Sequence, residues 1–151
     1  MVHTRQGFTL VELVMVLGII ALLGAIAVPR YAEAINRYRA RVAAEQIVRV
    51  LELSQATARQ RSTAISVWFD VANDTVHAPQ LDDPDRDGAW VIDLSQRPWR
   101  AELTRAEFDG QIYVLYNGYG ETTMTGSAAV SAGGVVWQID LDEHGRLNIS
   151  P

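Results

Sequence analysis

The sequence predicts an α+β fold: one long N-terminal α-helix packed on a C-terminal antiparallel β-sheet or β-sandwich head. Three observations predict it. Residues 8–28, FTLVELVMVLGIIALLGAIAV, form an apolar run of 21 residues with one charge, Glu12. Residues 30–61 then keep a helical period with no Gly or Pro. From Ala64 the period changes to two, as Ile65, Val67, Phe69 and Val71 alternate with Ser66, Trp68 and Asp70.

The whole chain of 151 residues suits one domain of ordinary size. It has no Cys, which excludes a disulfide framework, a thiolate metal site and a cysteine nucleophile. All 13 basic residues are Arg, and the net charge of −5 divides unevenly. Residues 1–29 balance Arg5 against Glu12. Residues 30–61 hold seven Arg and three Glu, a balance of +4. Residues 62–151 hold five Arg against fourteen Asp and Glu, a balance of −9. An acidic head argues against nucleic acid as a partner, because phosphate binding requires clustered positive charge. Arg97-Pro98-Trp99-Arg100 supplies an aromatic–basic pattern, but only two cations.

Helical geometry makes the apolar run about 31 Å long, enough to span a hydrocarbon core. The short positive flank before it predicts a cytoplasmic N-terminus, with everything after Pro29 across the membrane. Three readings compete. A secretory signal could be cut after Ala27, at Ala25-Ile26-Ala27, but the run is longer than a typical signal core of about 7–15 residues and contains an acid. A plain anchor leaves Glu12 as an unexplained cost of roughly 2.5–3.5 kcal/mol at membrane depth.

The third reading explains Glu12. Gly7-Phe8-Thr9-Leu10-Val11-Glu12 resembles the processing motif of type IV prepilins and type II secretion pseudopilins. The resemblance implies cleavage by a prepilin peptidase between Gly7 and Phe8, N-methylation of Phe8, and retention of Glu12 as an assembly glutamate. Cleavage creates a positive amine on Phe8 that Glu12 can neutralise, and in one helix the two are i,i+4 neighbours. Pairing with the Phe8 amine of the next subunit would instead drive assembly.

The segments expected on this basis are a leader at 1–7, a transmembrane and assembly helix at 8–28, an amphipathic helix at 29–61 and a β-rich periplasmic head at 62–151. Pro29 is the expected kink, since it removes a helical hydrogen bond. One helix from Phe8 to about Arg61 would be roughly 80 Å long. Tyr31, Ile35, Tyr38 and Val42 start an apolar stripe that passes to Ala43, Ile47, Val50, Leu51 and Ala58. Opposite it run Glu33–Arg37, Arg41–Glu45, Glu45–Arg49 and Arg49–Glu52, spaced for helical ion pairs. The Arg37, Arg39 and Arg41 zone suits lipid head groups, acidic heads of neighbours, or solvent alone.

Strands are expected at 64–70, 75–78, 90–94, 111–116, 135–141 and 146–149. Asp142-Glu143-His144-Gly145 reads as a hairpin turn whose Gly takes positive φ. Asn117–Gly134, with five of the eleven Gly, reads as a flexible loop. The helix end around Ala58-Arg59, running straight into a strand, and the Asp142–Arg146 hairpin are similar to those of H-type minor pseudopilins. Minor pilins of type IV pili share both features.

Asp83-Pro84-Asp85-Arg86-Asp87-Gly88 fits the start of a calcium loop, with Asp83, Asp85 and Asp87 as ligands. The twelfth place is Leu94 rather than Glu, so an acidic surface turn is the favoured reading and a calcium site the alternative. No other cofactor is expected. His77 and His144 are the only histidines beyond the leader, and no G-x-S-x-G or H-E-x-x-H motif occurs. The expectation is therefore no enzyme, but a structural minor pseudopilin of a type II secretion system, most like the H-type, assembled into a periplasmic pseudopilus that drives protein export; a minor pilin of a type IV pilus, with a part in DNA uptake, is the alternative. It would be held single-pass in a bacterial inner membrane, with other pseudopilins or minor pilins as partners through helix packing. An exported domain released by a signal peptidase is the remaining alternative.

Overall fold

The computed structural model describes residues 9–83 and 87–151. Contacts divide the chain into two units, Met1–Ile35 and Asn36–Pro151. A single helix, α1 (Leu10–Arg61), contributes to both, and eight strands follow it: β1 (Ile65–Asp70), β2 (Thr75–Asp82), β3 (Ala89–Asp93), β4 (Glu102–Phe108), β5 (Tyr113–Tyr116), β6 (Gly126–Ala132), β7 (Val135–Leu141) and β8 (Leu147–Ser150).

The first unit holds the apolar part of α1. Among the described residues the helix opens at Leu10; Phe8, where the span was expected to begin, lies outside them. Pro29 stands inside the continuous helix. Its ring leaves one helical acceptor without its usual N–H.

In the second unit the strands form two antiparallel four-stranded sheets, ordered β3-β2-β1-β5 and β4-β6-β7-β8. The core combines the inward faces of both sheets with one stripe of α1. That stripe is Ala40, Ala43, Ala44, Ile47, Leu51, Ser54 and Ala58, spaced by three and four residues as an amphipathic helix requires. Phe69 of β1 and Phe108 of β4 join the two sheets through rings 5.1 Å apart. In β1, Ile65, Val67 and Phe69 are buried and Trp68 faces out, as the alternation predicts.

Several expectations are corrected. Tyr31 and Tyr38 do not belong to the core stripe; they are 70% and 69% exposed. They lie on the opposite side of the helix from Ala40 and Ala44, since seven residues place Tyr38 almost above Tyr31 and nine place Ala40 half a turn away. Of the four ion pairs spaced along the helix, only Arg41–Glu45 forms among the described residues, at 2.9 Å. The expected loop at 117–134 contains β6, an inner strand between β4 and β7 whose Ala128, Val130 and Ala132 are buried. Gly126 serves close packing there rather than flexibility. It has φ +157°, and a Cβ at this position would strike the Glu107 carbonyl and Phe108 Cα. Strand β4 was not foreseen, because a register irregularity between Leu103 and Arg105 interrupts its alternation. β2 continues through Pro79 to Asp82, beyond the expected end at Ala78.

Candidate functional site

In the first unit Thr9 caps the helix. Its Oγ1 accepts the Glu12 N–H at 3.2 Å, and its carbonyl accepts the Leu13 N–H at 3.2 Å. Thr9-Leu10-Val11-Glu12 therefore has the spacing of a capping box, a signal present in the sequence but masked by the processing motif. The cap places Glu12 in the first turn, near the positive end of the helix dipole, where a carboxylate is favoured. Every large apolar side chain from Leu10 to Val28 is exposed, from Val16 at 46% to Leu10 at 78%. These residues form a helix long and apolar enough to cross a membrane. Glu12 is also exposed, with no cationic partner among the described residues. Gly7 and Phe8, the expected cleavage and methylation residues, lie outside the described residues.

The junction between helix and sheets shows what Ala58 and Arg59 do. Ala58 is fully buried, and its carbonyl accepts the Thr63 N–H at 3.2 Å across Ser62, which has φ +51°. This is a helix C-terminal motif in which Ser takes the place usual for Gly. Arg59 Nε donates to the Tyr119 carbonyl at 3.1 Å, and Gln55 Nε2 donates to the Gly120 carbonyl at 2.9 Å. Asn117 Oδ1 accepts the N–H groups of Tyr119 and Glu121, both at 2.9 Å. Residues 117–121 are thus a tied turn, and they present Tyr119 at 80% exposure. Of the basic zone, Arg41 lies 5.7 Å over the Trp137 ring besides pairing with Glu45.

The carboxylates of the head that shape its turns are held below the usual aspartate range. Asn73 donates its side-chain amide to Asp70, Ser95 donates its hydroxyl to Asp93, and the Arg146 N–H donates to Asp142. Asp142 thereby builds the expected hairpin, with Gly145 at φ +71°. Burial pushes the Tyr116 hydroxyl up, and the charge of Glu52 adds to it. Of the expected calcium ligands, Asp83 and Asp87 are described and Asp85 lies outside the described residues; the Asp83 N–H donates to the Gly88 carbonyl at 2.9 Å. Trp99 packs against the core as a partly buried side chain.

The prokaryotic N-terminal methylation motif matches residues 3–28. Among solved structures, the type IV minor pilin FimU of Pseudomonas aeruginosa is similar in two crystal forms. One aligns with a TM-score of 0.56 at 15% identity, over 76% of this chain and 90% of FimU. The other aligns with a TM-score of 0.53 at 13% identity, over 74% of this chain and 92% of FimU. The fold is type IV pilin-like. Comparison with curated proteins returns no match. The pilin-like fold accounts for the order of elements, one long helix followed by antiparallel sheets. The methylation motif places Gly7, Phe8 and Glu12 inside the matched segment.

Proposed function

We propose that this protein is a minor structural subunit of a type IV pilin-class filament, without catalysis of its own. Prepilin peptidase cuts between Gly7 and Phe8, Phe8 is methylated, and the apolar half of α1 holds the subunit in the inner membrane until assembly. The head then lies on the periplasmic side. One observation carries this reading: a helix capped at Thr9 exposes an unbroken apolar surface of membrane length, with a single carboxylate, Glu12, in its first turn. In a membrane that carboxylate needs a cation. The Phe8 amine made by cleavage supplies one, in the same chain or in a neighbour.

The likeness to FimU over nine-tenths of its length supports a pilus subunit. The type II secretion pseudopilin is the second reading, since the Asp142–Arg146 hairpin and the direct passage from Ala58-Arg59 into β1 are features that both classes of subunit share. Pro29 would let the helix bend or open on assembly. Replacement Glu12→Ala tests the assembly role. Peptidase processing is expected to continue while incorporation into filaments falls strongly, measured by immunoblotting sheared filaments against membranes. Normal incorporation of Glu12→Ala would refute it.

A further inference from the structure

Strand β5 is an outer strand of its sheet, paired with β1 on one side. Ile65 stands opposite Tyr116, Ser66 opposite Leu115 and Val67 opposite Val114. The Phe69 N–H donates to the Ile112 carbonyl at 2.8 Å, which sets the phase of the ladder. Hydrogen-bonded positions alternate in an antiparallel pair, so Val114 and Tyr116 bond to β1 while Leu115 turns its main-chain groups outward.

Residues 121–125 run back beside that outward edge and are fastened at both ends. At one end the Asn117 N–H donates to the Glu121 carbonyl at 2.9 Å. At the other, Asp109 holds Thr125 three times. Its N–H donates to the Thr125 carbonyl at 2.9 Å, and its carboxylate accepts the Thr125 N–H and hydroxyl, both at 3.0 Å. Were the ladder to continue from Asn117 and Glu121, the Leu115 N–H would donate to the Thr123 carbonyl. It donates instead to the Met124 sulfur, at 3.4 Å. The Thr122 hydroxyl accepts the Met124 N–H at 3.1 Å, a turn that brings the thioether to this place. Among the described residues, no other hydrogen bond ties 122–124 to β5. Met124 is half-buried and packs against the core, whereas Leu115 is 44% exposed.

We propose that Met124 is an oxidation site for small hydroperoxides, and that its thioether is the latch holding this strap on β5. A sulfur lone pair attacks one oxygen of hydrogen peroxide; an S–O bond forms as the O–O bond breaks. The proton on the transferred oxygen passes to the departing hydroxide, which leaves as water. Sulfur loses two electrons and the peroxide gains them. The product cannot keep the present geometry. A hydrogen bond to oxygen itself needs about 2.7–3.2 Å between N and O, so an oxygen set between sulfur and the Leu115 nitrogen pushes the sulfur away. The sulfoxide is also polar, which disfavours its return to the core packing. Oxidation therefore frees the strap between its two fastenings and uncovers the outward main chain of β5. The inference stands on the head's own geometry and is independent of the filament reading.

Amide hydrogen exchange of the full chain in detergent micelles, resolved by residue, tests it before and after treatment with hydrogen peroxide. Met15→Leu is the background, so that Met124 is the methionine read beyond Met1. Before treatment the Leu115 amide should be protected. Peroxide should add one oxygen to Met124, located by peptide mass spectrometry, and speed Leu115 exchange by about tenfold or more. Val114 and Tyr116, which bond to β1, should stay protected. Methionine sulfoxide reductases, one for each sulfoxide epimer, should restore the slow rate. Met124→Leu keeps the apolar volume without the acceptor, so its Leu115 amide should exchange quickly with or without peroxide. If that variant misfolds, enzymatic reduction of the oxidised chain makes the same comparison. A Met124 that resists peroxide, an unchanged or slower Leu115 rate after its oxidation, or an equal peroxide response in Met124→Leu would each overturn the proposal.

Discussion

The two halves of α1 obey the same helical period, but only the second buries its apolar side chains. From Leu10 to Val28 the side chains are large and apolar, and none of the large ones is buried. From Ala40 to Ala58 the side chains facing the sheets are mostly small, and all are buried: three alanines at 40, 43 and 44, then Ile47, Val50, Leu51, Ser54 and Ala58. Hydrophobicity alone therefore does not mark the core of this chain. Among the described residues the more hydrophobic half stays exposed, and a less hydrophobic stripe is buried against the strands. Burial of apolar area contributes about 25 cal/mol per Å², so the exposed half represents a large driving force that only a membrane or other subunits can satisfy.

The sharpest way to break this comparison is to shorten one leucine in each half. Leu51→Ala should destabilise the head by about 2–5 kcal/mol, because Leu51 is fully buried and its loss leaves a cavity. Leu17→Ala or Leu22→Ala should leave the head's unfolding unchanged, since both side chains are exposed. Denaturant unfolding of the full chain in micelles, followed by tryptophan fluorescence, measures both. Equal losses in the two halves would end the distinction.

A smaller effect tests the close packing of β6 on β4 within the head, which the apolar half of α1 lacks. Gly126→Ala should cost roughly 1–3 kcal/mol, because Ala strains at φ +157° and its Cβ meets β4 main chain. The same replacement at Gly18 or Gly24, where a Cβ meets nothing, should not destabilise the head.

The smallest effect is electrostatic. Asp70, Asp93 and Asp142 all have folded-state values lowered from 3.8. Their contribution is therefore fully present above that value and is lost as pH falls through the lower folded values. The head's melting temperature should decline on acidification below the 3.8 of a free aspartate, and less steeply in Asp142→Asn. The helix from Leu10 to Val28 should keep its far-ultraviolet signal in micelles over the same range.

Local signals were readable in the sequence. β1 and β7 follow from hydrophobic runs, the β7–β8 hairpin from its Asp-x-x-Gly turn chemistry, and the N-terminal helix from length and Glu12. What was hidden depends on neighbours. β6 is built of Gly, Ser and Ala around a single Val130, a composition with little strand preference, and its place comes from β4 and β7 on either side. β4 hides its period behind a bulge. Tyr31 and Tyr38 read as core because an apolar stripe on a helix does not say which side the sheets will cover. Arg59 carried a family resemblance in the sequence, but its bond to the Tyr119 carbonyl joins residues sixty apart and left no local signal.

The central claim is that the exposed half of α1 is processed and kept as an assembly element. Intact-mass measurement of the protein extracted from membranes tests it most directly. The mass should be that of residues 8–151 carrying one added methyl group. A chain beginning at Val28, or one retaining Met1, would contradict it.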